Sequence, residues 1–472
     1  MRSESSHTPC GGRRRAASRW FKKGTAAGLV IAAVCGGLAT GAAAQTPTAA
    51  APPSAYVFQD VRVFDGTSQR LSGPTNVLVR GNVIAAIGAD AAEPGAVVID
   101  GAGRTLMPGL IDAHWHTMMS DIALRDGLSA HPGYINAVAL KGAENTLMRG
   151  FTSVRDLAGP VWGVKRAIDE GVSAGPRIWP SGAMISQTSG HADYRSPMDL
   201  PRSGSSALHA TETMGAARIA DGEGEVLRAV REQLMQGASQ VKLAAGGGVA
   251  SDYDPLDVAQ YTAAELRAAV DAAGNWGTYV TVHAYTPKAV RTALEAGVMC
   301  IDHGQLIDDA TARLMAEKGA WLSLQPFLDD ADANPFPDGS PNRAKQLQVV
   351  EGTERAYALA KKYGLKTAWG TDTLFDARLA TRQGAQLAKM VRWFTPAEVL
   401  VMATATNAEL LALSGKRSPY PGRLGVVEVG ALADLLLVDG DPIANIELLA
   451  NPEENLLVIM KDGEIFKNLL ND

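Results

Sequence analysis

The chain has 472 residues, 46% hydrophobic and 20% charged, and its 50 acidic against 44 basic side chains give a formal net charge of −6. These proportions sit near globular averages and suit a soluble enzyme. Seven of the 44 basic residues but only one acidic residue lie within residues 1–23, so the rest is more acidic still, which argues against nucleic-acid binding; no heptads or long low-complexity tracts suggest a coiled coil or a disordered chain.

Arg13 to Lys23 is strongly basic, Gly24 to Gly41 is apolar and small, and Ala42-Ala43-Ala44 makes an A-x-A cleavage site before Gln45. Residues 1–44 therefore read as a secretory signal peptide. The mature protein is expected to be secreted, into a periplasm, with no membrane contact after cleavage; the alternative is an uncleaved anchor, for which the apolar run is short. Residues 45–55, rich in Pro, Ala and Thr, read as a flexible leader. Cys10 and Cys35 leave with the signal, so Cys300 stands alone and no intrachain disulfide is possible in the mature chain. Its apolar strand makes it a packing residue.

From Tyr56 to Arg104 apolar and polar residues alternate between Gly turns (YVFQDVRVFDG, NVLVRGNVIAAIG), which signals strands. Leu424 to Phe466 does the same. Between them the apolar run from Pro108 ends in His114-Trp115-His116. On a strand, residues i and i+2 face one side, so the two imidazoles can share a metal ion; taken alone, a pair of polar strand-end side chains is an equally good reading. Seven more short apolar runs follow LIDAHWH: FTSVRDL, RIWPSGAMI, SQVKLAA, YVTVHAY, VMCIDHG, AWLSLQP and KTAWGTD. Amphipathic segments such as AAELRAAVDAAGNWG and DDATARLMAEKG separate them. Eight alternations of strand and helix predict an α/β fold, a (β/α)8 barrel over residues 105–419 with its active site at the carboxyl ends of the strands. Lys242, His283, His303 and Asp372 fall at those ends, a pattern that chance would not repeat on five strands.

Other residues in these segments carry weaker signals. Arg155-Asp156 reads as a structural ion pair beneath the site. Ile185 to Arg195 reads as an active-site loop, in which His191 either hydrogen-bonds a substrate carbonyl or carboxylate or is satisfied by its neighbours. Arg195 either pairs with a carboxylate or is solvated. Gly246-Gly247-Gly248 lacks the Lys-Ser/Thr ending of a phosphate loop and reads as backbone room near the site. Tyr253 and Tyr285 can each point into the pocket. Asp329 to Asn342 is either a lid or a plain surface connection.

These residues resemble the amidohydrolase superfamily, and within it the imidazolonepropionase-related branch of prolidase-like and carboxypeptidase-like enzymes and an ochratoxin-degrading amidase. The resemblance spans nearly the whole mature chain, through PGLIDAHWH, Lys242, His283, His303, Asp372, VLVMATATNAELLAL and GRLGVVEVGALADLLLVDGDP. It implies that residues 56–104 and 420–472 join as one small β-sandwich beside the barrel, and that the protein is a homo-oligomer. A lysine ammonium has no lone pair for a metal. The resemblance implies that Lys242 is carboxylated to N6-carboxylysine, whose two oxygens bridge two divalent metal ions, zinc being the first choice and manganese or cobalt the others. His114, His116 and Asp372 would hold the more buried ion, and His283 and His303 the more exposed one. The alternative for Lys242 is an ion pair with a buried acid.

A water shared by two such ions would yield hydroxide near neutral pH, and Asp372 would accept its proton and pass it to the leaving nitrogen. Deaminases of the superfamily tend to have one metal and a glutamate soon after the fifth-strand histidine. Here Ala284-Tyr285-Thr286-Pro287 follows His283, with Tyr285 where relatives of this branch often carry a second histidine. The expected activity is metal-dependent cleavage of an amide bond in dipeptides or N-acyl amino acids, ochratoxin-type amides included. The alternatives are hydrolysis of a cyclic amide or lactone, using the same metals, and a non-catalytic binding protein, which would be expected to have lost ligands.

Overall fold

The computed structural model describes residues 55–200 and 207–470; the expected signal peptide, and all but the last residue of the expected leader, lie outside the described residues. The alternating N-terminal segment forms β1 (Ala55–Val63), β2 (Pro74–Arg80), β3 (Val83–Gly88), β4 (Val97–Asp100) and β5 (Thr105–Pro108). Ten short strands follow: β6 (Leu110–Trp115), β7 (Phe151–Asp156), β8 (Arg177–Pro180), β9 (Met184–Ser186), β10 (Ala217–Ile219), β11 (Val241–Ala244), β12 (Val280–Ala284), β13 (Cys300–His303), β14 (Trp321–Leu324) and β15 (Lys366–Trp369). The chain ends in β16 (Leu435–Val438), β17 (Leu456–Lys461) and β18 (Glu464–Asn468).

Both chain ends build one eight-stranded sheet, ordered β18-β17-β16-β5-β1-β2-β3 with β4 beside β1. Its core comes from alternate residues, Val77 with Val79, Leu435 with Leu437 and Val458 with Met460, as the two-residue period of a strand requires. β5, expected at the start of the barrel, instead pairs with β1 and β16. The break is at Gly109, whose N–H donates to the Asp434 carbonyl at 2.8 Å and whose missing Cβ would sit 2.1 Å from the Thr152 hydroxyl.

The remaining strands run parallel in two sheets, β6-β7-β8 and β10-β9-β11-β12-β13-β14-β15. Most are buried on both faces, which explains why these runs are largely apolar rather than alternating. Helices lie between most of them, and the sequence marks their ends. Ala263–Asn275 starts at Thr262, which accepts from the Glu265 N–H while Glu265 accepts from the Thr262 N–H; it buries Leu266, Ala269 and Ala273. Among the described residues no helix is long and apolar enough to cross a membrane.

Two expectations need correction. RIWPSGAMI is not one strand. It breaks at Gly182, where φ is +73° and a Cβ would lie 2.4 Å from Gln233 Oε1, and yields β8 and β9 in different sheets. Arg155 and Asp156 are not an ion pair, because neighbours on a strand face opposite ways. Arg155 instead reaches Asp302 at 2.6 Å and the Ala113 carbonyl at 2.6 Å, while Asp156 accepts from the Thr117 N–H at 2.8 Å.

The two parallel sheets are stitched at both margins. At one, the Ser239 N–H donates to the Pro180 carbonyl (2.7 Å) and Gln240 to the Trp179 carbonyl (2.8 Å). At the other, the Asn407 amide donates to the carbonyls of Ile111 (2.7 Å) and Trp369 (2.8 Å) and accepts from the Trp369 N–H. The Asp372 N–H also donates to the His114 carbonyl at 2.8 Å.

Candidate metal centre and its surroundings

Register sets which side chains share a face. Lys242, Thr281, Cys300 and Trp321 form one row across β11 to β14, and Ala244, His283, Asp302 and Ser323 the next. His303 follows Asp302 and would face the other way in a regular strand. It takes φ of +81°, and Asp372, just past β15, takes +55°. Backbone held there costs on the order of 1–3 kcal/mol per residue, a strain that collects at functional sites.

The side chains converge as the i, i+2 spacing requires. Nε2 of His114 lies 3.1 Å, and Nε2 of His116 3.0 Å, from the same Asp372 oxygen. Ligand atoms of His114, His303 and Asp372 all lie within 4.8 Å of one another. The His283 ring sits 4.5 Å from that of His303, and His303 4.9 Å from His114. His116 Nδ1 is buried without a partner.

Burial governs the charges. It lowers His114 to about 4 and His303 to about 3, and holds His283 well below its ordinary value, so all three are neutral with lone pairs to offer. Burial alone would raise the Asp372 carboxyl, but the His114 imidazole and ring N–H bonds from His114 and His116 hold it well below the carboxylate range. This donor set of neutral imidazoles and an ionised carboxylate fits a divalent cation.

Lys242 is fully buried and, as an ammonium, donates to Asp302 Oδ2 at 2.6 Å. Burial lowers its pKa, against the pull of Asp302. Asp302 also accepts from Arg155 (2.6 Å) and the Thr281 hydroxyl (2.7 Å). Burial alone would raise this carboxyl, but Lys242 and Arg155 drive it well below its ordinary range. Asp302 and Gln325, which bonds to both His303 and His114, are two of the site residues that sequence reasoning missed. Each stands beside a strand end that the pattern marks, but only the fold shows what it touches.

The substrate-side candidates divide. The His191 ring stacks on that of His283 at 4.0 Å, its Nδ1 2.7 Å from the Ser251 hydroxyl and 3.5 Å from the buried Asp254 carboxylate. Tyr285 is buried with its ring 4.9 Å from His283 and 5.0 Å from His303. Arg195 and Tyr253 are not brought to this cluster. The Arg195 guanidinium is buried rather than solvated and binds Asp193 through two nitrogens, each at 2.7 Å, because the tight Ser189–Asp193 turn places that carboxylate beside it, while its third nitrogen, Nη1, has no hydrogen-bond partner among the described residues. Tyr253 is 47% exposed.

The glycine run has the expected use as backbone room. Gly247 offers its carbonyl to His283 Nε2 at 3.1 Å, and a Cβ on Gly248 would lie 1.8 Å from His191 Nδ1. The loop is held by Lys345, which donates to the carbonyls of Gly248, Ser251 and Asp254. The segment 329–342 is tied down as well, by Arg343 to Asp329 (2.8 Å) and Lys389 to Asp330 (2.9 Å).

Comparison with known proteins points one way. The profile of the amidohydrolase family matches residues 105–466. An ochratoxinase from Aspergillus niger is 32% identical over 382 residues, covering 77% of this chain and 75% of that protein. Among solved structures, a prolidase complexed with N-methylphosphonate-L-proline superposes with a TM-score of 0.80 at 34% identity, over 88% of this chain and 100% of that one. A Xaa-Pro dipeptidase with methionine bound in its active site gives 0.75 at 28% identity, over 88% and 100%.

Proposed function

Since this chain belongs to the amidohydrolase family and is a hydrolase of amide carbon–nitrogen bonds, we propose that it is a binuclear metal-dependent amidase of dipeptides or N-acyl amino acids, ochratoxin-type amides included. The observation that carries this reading is the convergence of two imidazole Nε2 atoms on one Asp372 oxygen, with His303 and His283 alongside. The two stitched parallel sheets are read as arcs of one (β/α)8 barrel, and the sheet made from both chain ends as its companion sandwich. The basic and apolar N-terminal segment of the sequence supports export, with the periplasm as the proposed location.

His114, His116 and Asp372 would hold one cation and His283 and His303 the other, zinc by donor chemistry. Lys242 fits as a ligand only after its amine adds to carbon dioxide and loses a proton. The resulting carbamate keeps one N–H, so Asp302 can still accept from it. When bound, the cations supply Lewis acidity and a nucleophile at neutral pH. Asp372, held ionised, takes the proton of the attacking water and delivers it to the leaving nitrogen, which departs as the neutral amine. His191, which bonds to Ser251, and Tyr285, whose ring lies beside those of His283 and His303, are the residues we assign to the substrate carbonyl and carboxylate.

A second reading, a cyclic amide or lactone as substrate, has one observation in its favour. Leu256, Val349, Leu306 and Phe327 pack around Tyr285 as an apolar wall. A panel of dipeptides, N-acyl amino acids, ochratoxin A, lactams and lactones separates the two. Release of the C-terminal amino acid supports the amidase; turnover confined to lactams or lactones overturns it.

A further inference from the structure

Gln325 is fully buried just past β14, and its side-chain amide touches both halves of the imidazole cluster. The amide nitrogen lies 3.0 Å from the Ser323 carbonyl oxygen. A carbonyl only accepts, so the NH2 must face that way and Oε1 must face the other. Oε1 is then 2.8 Å from His303 Nδ1, and Nε2 is 3.2 Å from His114 Nδ1. An oxygen acceptor demands a hydrogen on His303 Nδ1 and leaves the lone pair on its Nε2. A nitrogen donor demands a lone pair on His114 Nδ1 and places that ring's hydrogen on Nε2, where Asp372 Oδ1 accepts it at 3.1 Å. His283 is set like His303: the Gly247 carbonyl at 3.1 Å requires a hydrogen on Nε2 and frees Nδ1.

We propose that Gln325 is a positioning residue that holds His303 and His114 in opposite tautomers, so that the His283–His303 half of the centre takes its cation before the half containing His114. His283 and His303 present lone pairs as they stand. His114 can present Nε2 only after its hydrogen moves to Nδ1, which the Gln325 N–H opposes. One amide cannot serve both rings in the same tautomer, because it has one oxygen. The proposal rests on reading the cluster as a cation site, and its test separates the two claims.

The test uses the full chain, stripped of metal and labelled with 15N-histidine, first by NMR of the ring nitrogens and then by calorimetric titration with zinc chloride. The expected result is a hydrogen on Nδ1 of His303 and on Nε2 of His114, followed by two uptake steps that differ about 10- to 100-fold in affinity. In Gln325→Glu, which offers an acceptor to both rings, His114 should move its hydrogen to Nδ1 and the two steps should converge. A hydrogen on His114 Nδ1 in the wild-type chain overturns the proposal, without any variant having to fold. So does a Gln325→Glu chain with unchanged tautomers and unchanged steps. Failure to take up zinc would overturn the cation-site reading, while the tautomers would still decide the role of Gln325.

Discussion

Asp372 accepts two ring N–H bonds on a single oxygen, and its position past β15 at φ of +55° is what places that oxygen between the rings. Asp372→Asn retains the shape but cannot take a proton, so turnover should fall about 10²- to 10⁴-fold while metal content, measured by mass spectrometry, stays near wild type. Near-normal turnover would remove its proton-transfer role. The buried imidazoles also make the metal-free fold sensitive to acid. Unfolded rings take up protons near pH 6.5, whereas folded His114 does so only near 4 and His303 near 3. At these rings the unfolded state therefore binds more protons across that interval, and their contribution to stability falls as pH drops. Each ring should cost about 2 kcal/mol between pH 7 and pH 5, while burial raises Asp156 to about 7 and Asp112 to about 6 and so offsets that loss; NMR titration of the rings in metal-stripped protein isolates their part, and rings that take up protons near pH 6.5 would show that they are not held neutral. The histidines, Lys242 and Asp372 were legible in the sequence because each ends an apolar run. Asp302, Gln325 and Asp254 were not, because their meaning lies in partners 60, 211 and 63 positions away along the chain.

At the scale of elements, strand ends and the loops after them carry the site. Most of the parallel strands were readable because doubly buried strands are apolar throughout, yet the reading of eight fell short of ten: it lacked the three-residue β10, and RIWPSGAMI concealed a break at Gly182 that only the approach of Gln233 explains. Arg155 was assigned the wrong partner for a similar reason: adjacency in sequence is opposition on a strand. VLVMATATNAELLAL was recognisable as a pattern, but its physical use is Asn407, which joins β6 to β15. The glycine loop after β11 gives the sharpest element-scale prediction. In Gly248→Ala the new methyl falls 1.8 Å from His191 Nδ1, so the imidazole must leave its stack on His283. The melting temperature should change little while kcat/KM falls about 10²-fold, the usual cost of a catalytic group displaced by an ångström. An unchanged kcat/KM would show that His191 does not touch the substrate.

Across the whole molecule, the sheet from both chain ends and the parallel strands meet at a buried ion pair. Arg177 of β8 binds Asp434 at 3.0 Å, with both side chains nearly inaccessible, and reaches Asp462 at 2.7 Å. Asp434→Ala would leave that guanidinium short of its buried partner, which costs about 3–5 kcal/mol. The chain should then unfold at a lower urea concentration than wild type, and an unchanged midpoint would show that Asp462 suffices. The central claim concerns the centre that this scaffold holds together, amide cleavage dependent on bound cations. Its most direct test is the rate at which the C-terminal amino acid leaves an N-acyl amino acid, before chelation, after it, and on stepwise return of zinc. The account predicts that chelation abolishes the rate and that about two equivalents of zinc restore it. Undiminished hydrolysis by the chelated, verified metal-free protein would contradict it.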